Sequence, residues 1–190
     1  MLDGKTVAVV VPCYNEETQI RSVLETMPDF VDIIVVVDDC SSDKTFEVVQ
    51  AFIDSSGPSG LVIQDVISQD IKRSRFNNAE VVLGQIRRDE QPKYTPQQVY
   101  NQSQDTDRVI LIRHRQNGSV GAAIASGYKW CRDRDIYCTA VMAGDGQMDP
   151  AELEQICRPI IDSPEIDYVK GNRLSHRSAF FVIPKLRYFG

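Results

Sequence analysis

The sequence predicts an α/β domain built on a mostly parallel sheet with helices on both faces. Three observations carry this. Thr6–Pro12 and Ile33–Val37 are unbroken runs of mainly β-branched residues, the pattern of strands buried on both faces. Amphipathic helical patterns alternate with these runs, so the start of the chain reads βαβα with right-handed crossovers. Polar, acidic turns follow the strands, at the sheet edge where open α/β folds bind ligands.

Thr6-Val7-Ala8-Val9-Val10-Val11-Pro12 is the first strand, and Cys13-Tyr14-Asn15-Glu16-Glu17 is its polar turn. A helix is expected from Glu16 to Met27, with Ile20, Val23, Leu24 and Met27 on one face and Pro28 as its stop. Ile33–Val37 is the second strand and ends in Asp38-Asp39-Cys40. Ser41, Ser42 or Asp43 caps the next helix, whose apolar face holds Phe46, Val49, Phe52 and Ile53.

Gly57-Pro58-Ser59-Gly60 then breaks the alternation. Residues 61–106 are expected to be an insertion within the domain. It holds a short strand near Leu61–Ile67, weak helical character over Ile71–Arg88 and a polar, turn-rich remainder. A lid, an oligomer contact or a disordered flap are its open roles. Arg108–Arg113 is the third strand, followed by a glycine-led turn and a helix of small residues over Asn117–Gly127. Tyr137–Met142 is the fourth. It runs into Ala143-Gly144-Asp145-Gly146-Gln147, after which Asp149 caps and Pro150 begins another helix, with Leu153, Ile156, Ile160 and Ile161 on one face. Asp167–Arg173 reads as a further strand entering a polar loop.

The chain has 190 residues, enough for one domain with its own core. Its net charge is −6, from 21 basic and 27 acidic residues, which argues against a general nucleic-acid binder. The balance reverses between Tyr168 and Gly190, where five basic residues face no acidic one. That stretch suits an anionic partner such as a phosphate or a membrane surface. Cys13, Cys40, Cys131, Cys138 and Cys157 lack metal-site spacing and read as reduced, buried thiols. No apolar run approaches the ~18 residues of a membrane helix.

The chemistry gathers at the strand ends. Asp145 and Gln147 lie two apart, so in extended backbone both side chains point the same way. Two oxygen donors suit a hard divalent cation that keeps positions for phosphate oxygens. The alternative is a corner in which Asp145 satisfies turn amides. Glu16, Glu17, Asp38 and Asp39 end two further strands, with carboxylates read as unpaired. Acids there hold a metal or accept hydrogen bonds from base N–H groups and ribose hydroxyls. Together they point to a metal–nucleotide ligand.

The motifs resemble glycosyltransferase family 2 of the GT-A fold, nearest to its polyprenyl- and dolichyl-phosphate sugar transferases. The resemblance rests on Val11–Glu17, Val37–Asp43, Asn117–Gly127, Asp145–Pro150 and Gly171-Asn172-Arg173, in that order. It implies that 1–190 is a single catalytic GT-A domain, cut short at its C-terminal end. It also implies an inverting transfer from a UDP- or GDP-linked sugar to a polyprenyl phosphate. Pro12, Tyr14, Glu16, Asp39 and Gly121 are then nucleotide-binding, with Asp39 reading the base edge. Asp145 and Gln147 are ligands of Mg2+ or Mn2+, and Asp145 and Arg173 are catalytic. Arg173, Arg177 and Arg187 would hold the acceptor phosphate. Asp38 supports its turn and Asp149 caps a helix. The family's Asp-x-Asp has Ala143 in its first position here, so Asp38 or a water is left to complete the metal shell. The family also implies work at the cytoplasmic face of a membrane, reached through a further C-terminal segment. A homo-oligomer is left open. A nucleotide-sugar-binding module without turnover and a family 2 transferase acting on a saccharide hydroxyl remain as alternatives.

Overall fold

The computed structural model describes residues 1–57, 61–65, 74–101 and 103–171. Strands β1 (Val7–Cys13), β2 (Ile33–Asp38), β3 (Gln97–Val99), β4 (Val109–His114) and β5 (Cys138–Val141) form one sheet in the order β3-β4-β2-β1-β5. Every pairing is parallel except that of β3 with β4. The expected mostly parallel α/β sheet is therefore present, and its four long apolar runs are the four parallel strands.

Alternation along each strand splits the core into two layers. Val9, Val11 and Cys13 of β1 face one way with Ile34, Val36 and Leu111. Against them pack α1 (Ile20–Glu25), α2 (Thr45–Ser55) and, through Leu153, α5 (Leu153–Asp162). Ala8 and Val10 face the other way with Val35, Val37, Ile110 and Ile112. That layer is covered by Ala123, Trp130 and Cys131 of α4 (Ser119–Arg132). Helices on both faces leave β1 and β2 buried at every position, so each of their Val and Ile side chains contributes roughly 1.5–3 kcal/mol of burial. α4 lies so close to the sheet that a Cβ on Gly127 would sit 2.3 Å from Val10 Cγ1.

Several elements differ from the sequence expectation. The first helix is shorter, Ile20–Glu25, and ahead of it the amides of Glu16 and Glu17 bond Thr45 Oγ1 and Asp43 Oδ2 across the neighbouring loop. Leu61–Ile63 is not a strand, and Val66 and Ile67 lie outside the described residues. Ile63 is held instead by its amide on Asp105 O and by burial against the α4 layer. A helix, α3 (Asn78–Glu90), overlaps the weak helical signal and runs past it. The polar remainder supplies β3, and Tyr100 and Asn101 continue the contact: Tyr100 N donates to Leu111 O, while Asn101 Nδ2 and Oδ1 bond Val109 O and Leu111 N at 2.7 Å each. The final part of residues 61–106 thus belongs to the sheet edge. Over 167–171 there is no strand, and the rest of the expected Asp167–Arg173 strand lies outside the described residues.

Candidate functional site

The chain runs outward from β1 through β2 to β4, then returns to place β5 on the other side of β1. That reversal is a topological switch point, where the loops after neighbouring strands diverge and leave a crevice at their C-terminal ends. A cleft of about 200 Å³ lies there. Pro12, Tyr14 and Glu16 line it from the end of β1, Asp39 from β2, and Ala143, Gly144 and Asp145 from β5. Val120 and Ala123 close it from the first turns of α4. Gly144 is required for this approach: a Cβ would stand 3.0 Å from Cys13 Cβ and 3.3 Å from Pro12 O.

The loops after β1 and β2 are latched together. Asn15 N donates to Ser41 Oγ at 3.0 Å, and Asn15 Oδ1 accepts Ser42 N at 2.8 Å. Glu17 Oε2 accepts Lys44 N at 2.9 Å. The N-cap of α2 is Lys44 and not Ser41, Ser42 or Asp43, but Asp43 just before it accepts Thr45 N at 2.9 Å. Burial would raise its carboxyl, but bonds from the Thr45 hydroxyl and from loop amides outweigh that and hold it below the usual range. Asn15 and Cys40 both take positive φ (58° and 64°). Asn tolerates this conformation. For Cys40 it is strain of roughly 1–3 kcal/mol, stored beside Asp39.

Of the carboxylates expected to be unpaired, Glu17 is taken by the Lys44 amide, and the others divide into two groups. Asp38 is fully buried: Oδ1 accepts Ser41 N at 2.9 Å, and Arg113 Nε forms an ion pair 3.0 Å from Oδ2, outside hydrogen-bond alignment. It supports its turn, as expected, and is removed as a candidate for the metal shell. Asp39 is also paired, through Oδ1, with His114 Nδ1 at 2.6 Å and Gly118 N at 2.8 Å. His114 itself was not singled out in the sequence. Its only signal was a polar ring at the end of an apolar strand.

Glu16 and Asp145 are the second group. Burial first, then the negative charges of Asp145 and Asp43, push the Glu16 carboxyl above the usual glutamate range. Two acids from different strand ends therefore repel each other across the cleft. Asp145 and Gln147 are not in extended backbone. Gly146 has φ +70°, and Asp145 Oδ1 accepts Gln147 N at 3.0 Å, so the turn-satisfying role of Asp145 is real. The shared orientation expected of the two side chains does not follow. Gln147 and Gly121 do not line the cleft, whereas Pro12, Tyr14, Glu16, Asp39 and Asp145 do. Arg173, Arg177 and Arg187 lie outside the described residues. Asp149 caps as expected, accepting Ala151 N at 2.9 Å ahead of Pro150.

The model of the family described as glycosyl transferase family 2 matches residues 8–64 and 62–188. The chain belongs to glycosyl transferase family 2. Among curated proteins, this family 2 chain is 24% identical over 187 residues to the UDP-N-acetylglucosamine–dolichyl-phosphate N-acetylglucosaminyltransferase of Methanococcus voltae. That alignment takes in 98% of the chain but 59% of the relative, so the chain spans about three-fifths of the relative's length. Among solved structures, the M. tuberculosis glucosyl-3-phosphoglycerate synthase shares 28% identity over 44% of this chain and 30% of that one. Its TM-score of 0.24 is too low to bear on the fold. No helix among the described residues is long and apolar enough to cross a membrane.

Proposed function

We propose that this family 2 chain carries the donor site of an inverting glycosyltransferase. It would move a sugar from a UDP- or GDP-linked donor to a polyprenyl phosphate at the cytoplasmic face of a membrane. The observation that carries this is the division of labour in one cleft: Asp39, fixed by His114 and Gly118, stands at the β2 side, and the acid pair Glu16 and Asp145 at the β1–β5 side. The name of the Methanococcus voltae relative, with its nucleotide sugar and dolichyl phosphate, supports the same donor and acceptor classes.

In this reading Asp39 accepts a base N–H, while Pro12 and Tyr14 form the lip against the base and ribose. The first turn of α4 meets the cleft through Val120, and a helix N-terminus there favours the charge of the diphosphate. Among the described residues no three acidic, His or Cys side chains form a ready metal cage. Asp145 and Glu16 do suit a cation that keeps most of its positions for phosphate oxygens and water, because their mutual repulsion is what a cation relieves. Asp145 would hold Mg2+ or Mn2+, with Gln147 beside it in the turn. Such an ion, when bound, neutralises the charge that grows on the departing diphosphate. The reaction is one displacement: an acceptor phosphate oxygen bonds to the anomeric carbon as the carbon–oxygen bond to the nucleoside diphosphate breaks. A phosphate acceptor is already an anion, so no side chain has to remove a proton. Arg173, Arg177 and Arg187 are the proposed partners of that anion.

The test is transfer from radiolabelled UDP- and GDP-sugars to a polyprenyl phosphate, with the anomeric configuration of the product read by NMR. The proposal expects an organic-soluble product of inverted configuration. Transfer only to saccharide hydroxyls, or retention of configuration, would overturn it.

A further inference from the structure

His114 is an imidazole with no side-chain exposure at the end of β4. Both of its nitrogens are partnered: Nδ1 lies 2.6 Å from Asp39 Oδ1, and Nε2 lies 2.9 Å from Ser126 Oγ on α4. Because the Nδ1 partner is a carboxylate, Nδ1 carries the proton whether the ring is neutral or charged. The Ser126 hydroxyl, able to donate or accept, matches Nε2 in either state. Asp39 Oδ1 also takes the Gly118 amide at 2.8 Å, so two N–H donors converge on one oxygen. Among the described residues nothing hydrogen-bonds Asp39 Oδ2, and Asp39 lines the cleft. The carboxylate therefore has one oxygen left for a ligand.

That oxygen count separates the two bases. Uracil offers one N–H on its pairing edge, between two carbonyls. Guanine offers two adjacent N–H donors, which a carboxylate satisfies by using both of its oxygens, as in other bidentate pairs. We propose, on the transferase reading above, that His114, backed by Ser126, is a positioning residue that sets base specificity. By occupying Oδ1 it makes Asp39 a one-oxygen acceptor, which selects a uracil nucleotide over a guanine nucleotide.

The experiment is equilibrium dialysis of the chain and its variants with UMP and with GMP, which reports on the base without a diphosphate. The wild-type chain is expected to prefer UMP at least about tenfold, the weight of one hydrogen bond to a charged group. His114→Leu is expected to lose about tenfold in UMP affinity and bring the UMP:GMP ratio toward one. His114→Asn, whose amide can donate from the place of ring Nδ1, is expected to keep the ratio. Ser126→Ala removes only a hydroxyl, and it is expected to lower the ratio severalfold even if the leucine variant fails to fold. A purely structural role would shift the thermal midpoint of these variants and leave the ratio alone. An unchanged ratio in a folded Ser126→Ala or His114→Leu chain overturns the proposal. Equal or tighter GMP binding by the wild-type chain overturns it too, while the nucleotide cleft stands. Binding of neither nucleotide removes both this proposal and the transferase reading.

Discussion

At the scale of single residues, the site stores an electrostatic conflict. Glu16 is half-buried and faces Asp145, and its carboxyl is pushed up by burial and by that neighbour's charge. A carboxyl whose pKa is raised in the folded state contributes stability that is complete below the ordinary glutamate pKa. It is lost as pH rises through the folded value. Glu16→Gln should therefore match the wild-type chain in acid and melt higher than it at neutral pH, when no divalent cation is present. Added Mn2+ should reverse the order, because only the wild-type chain gains by pairing the two acids. Melting curves at pH 4 and pH 7, with and without Mn2+, check this. Identical curves at pH 7 would show that the two charges do not interact. The acids of this site were legible in the sequence, since each ends an apolar run. Their partners were not. Asp39 and His114 are 75 residues apart in the chain, and no local spacing reveals a pairing made only when β2 and β4 lie side by side.

At the scale of elements, legibility followed burial. Val7–Val11 and Ile33–Val37 could be read as central strands because both of their faces are covered, which forbids polar interruption. Gln97-Gln98-Val99 could not. It is an edge strand with one neighbour, half-exposed, and its attachment depends on Asn101, whose amide imitates a backbone pair. The glycine-led helix after β4 was legible as a place of close approach, and Gly127 shows why: it rests directly on Val10 of β1. Gly127→Ala inserts a methyl group where there is no room. The cost should be about 1–3 kcal/mol, an overpacking penalty larger than the helix-propensity gain. Denaturant unfolding measures it, and a stabilised variant would mean that α4 does not pack on β1 at this distance. Val10→Ala in the same background should recover part of the loss, since it removes the atoms that the new methyl meets.

At the scale of the whole molecule, the topology does the positioning. Strand order β3-β4-β2-β1-β5 puts the ends of β1, β2 and β5 around one crevice, so residues far apart in sequence meet without a dedicated loop. Asp145, held in its own turn with Gly146 at φ +70°, is aimed there by β5, and Asp39 by β2. Tyr14, nearly half-exposed, stands at the rim. The central claim is that this one cleft receives a nucleotide diphosphate together with a divalent cation. Calorimetric titration of the chain with UDP and with GDP, each with and without Mn2+, tests it most directly when repeated on Asp145→Ala. The account predicts nucleotide binding that Mn2+ strengthens, and loss of that Mn2+-dependent gain in the variant. Equal affinity with and without Mn2+, unchanged by Asp145→Ala, would contradict it.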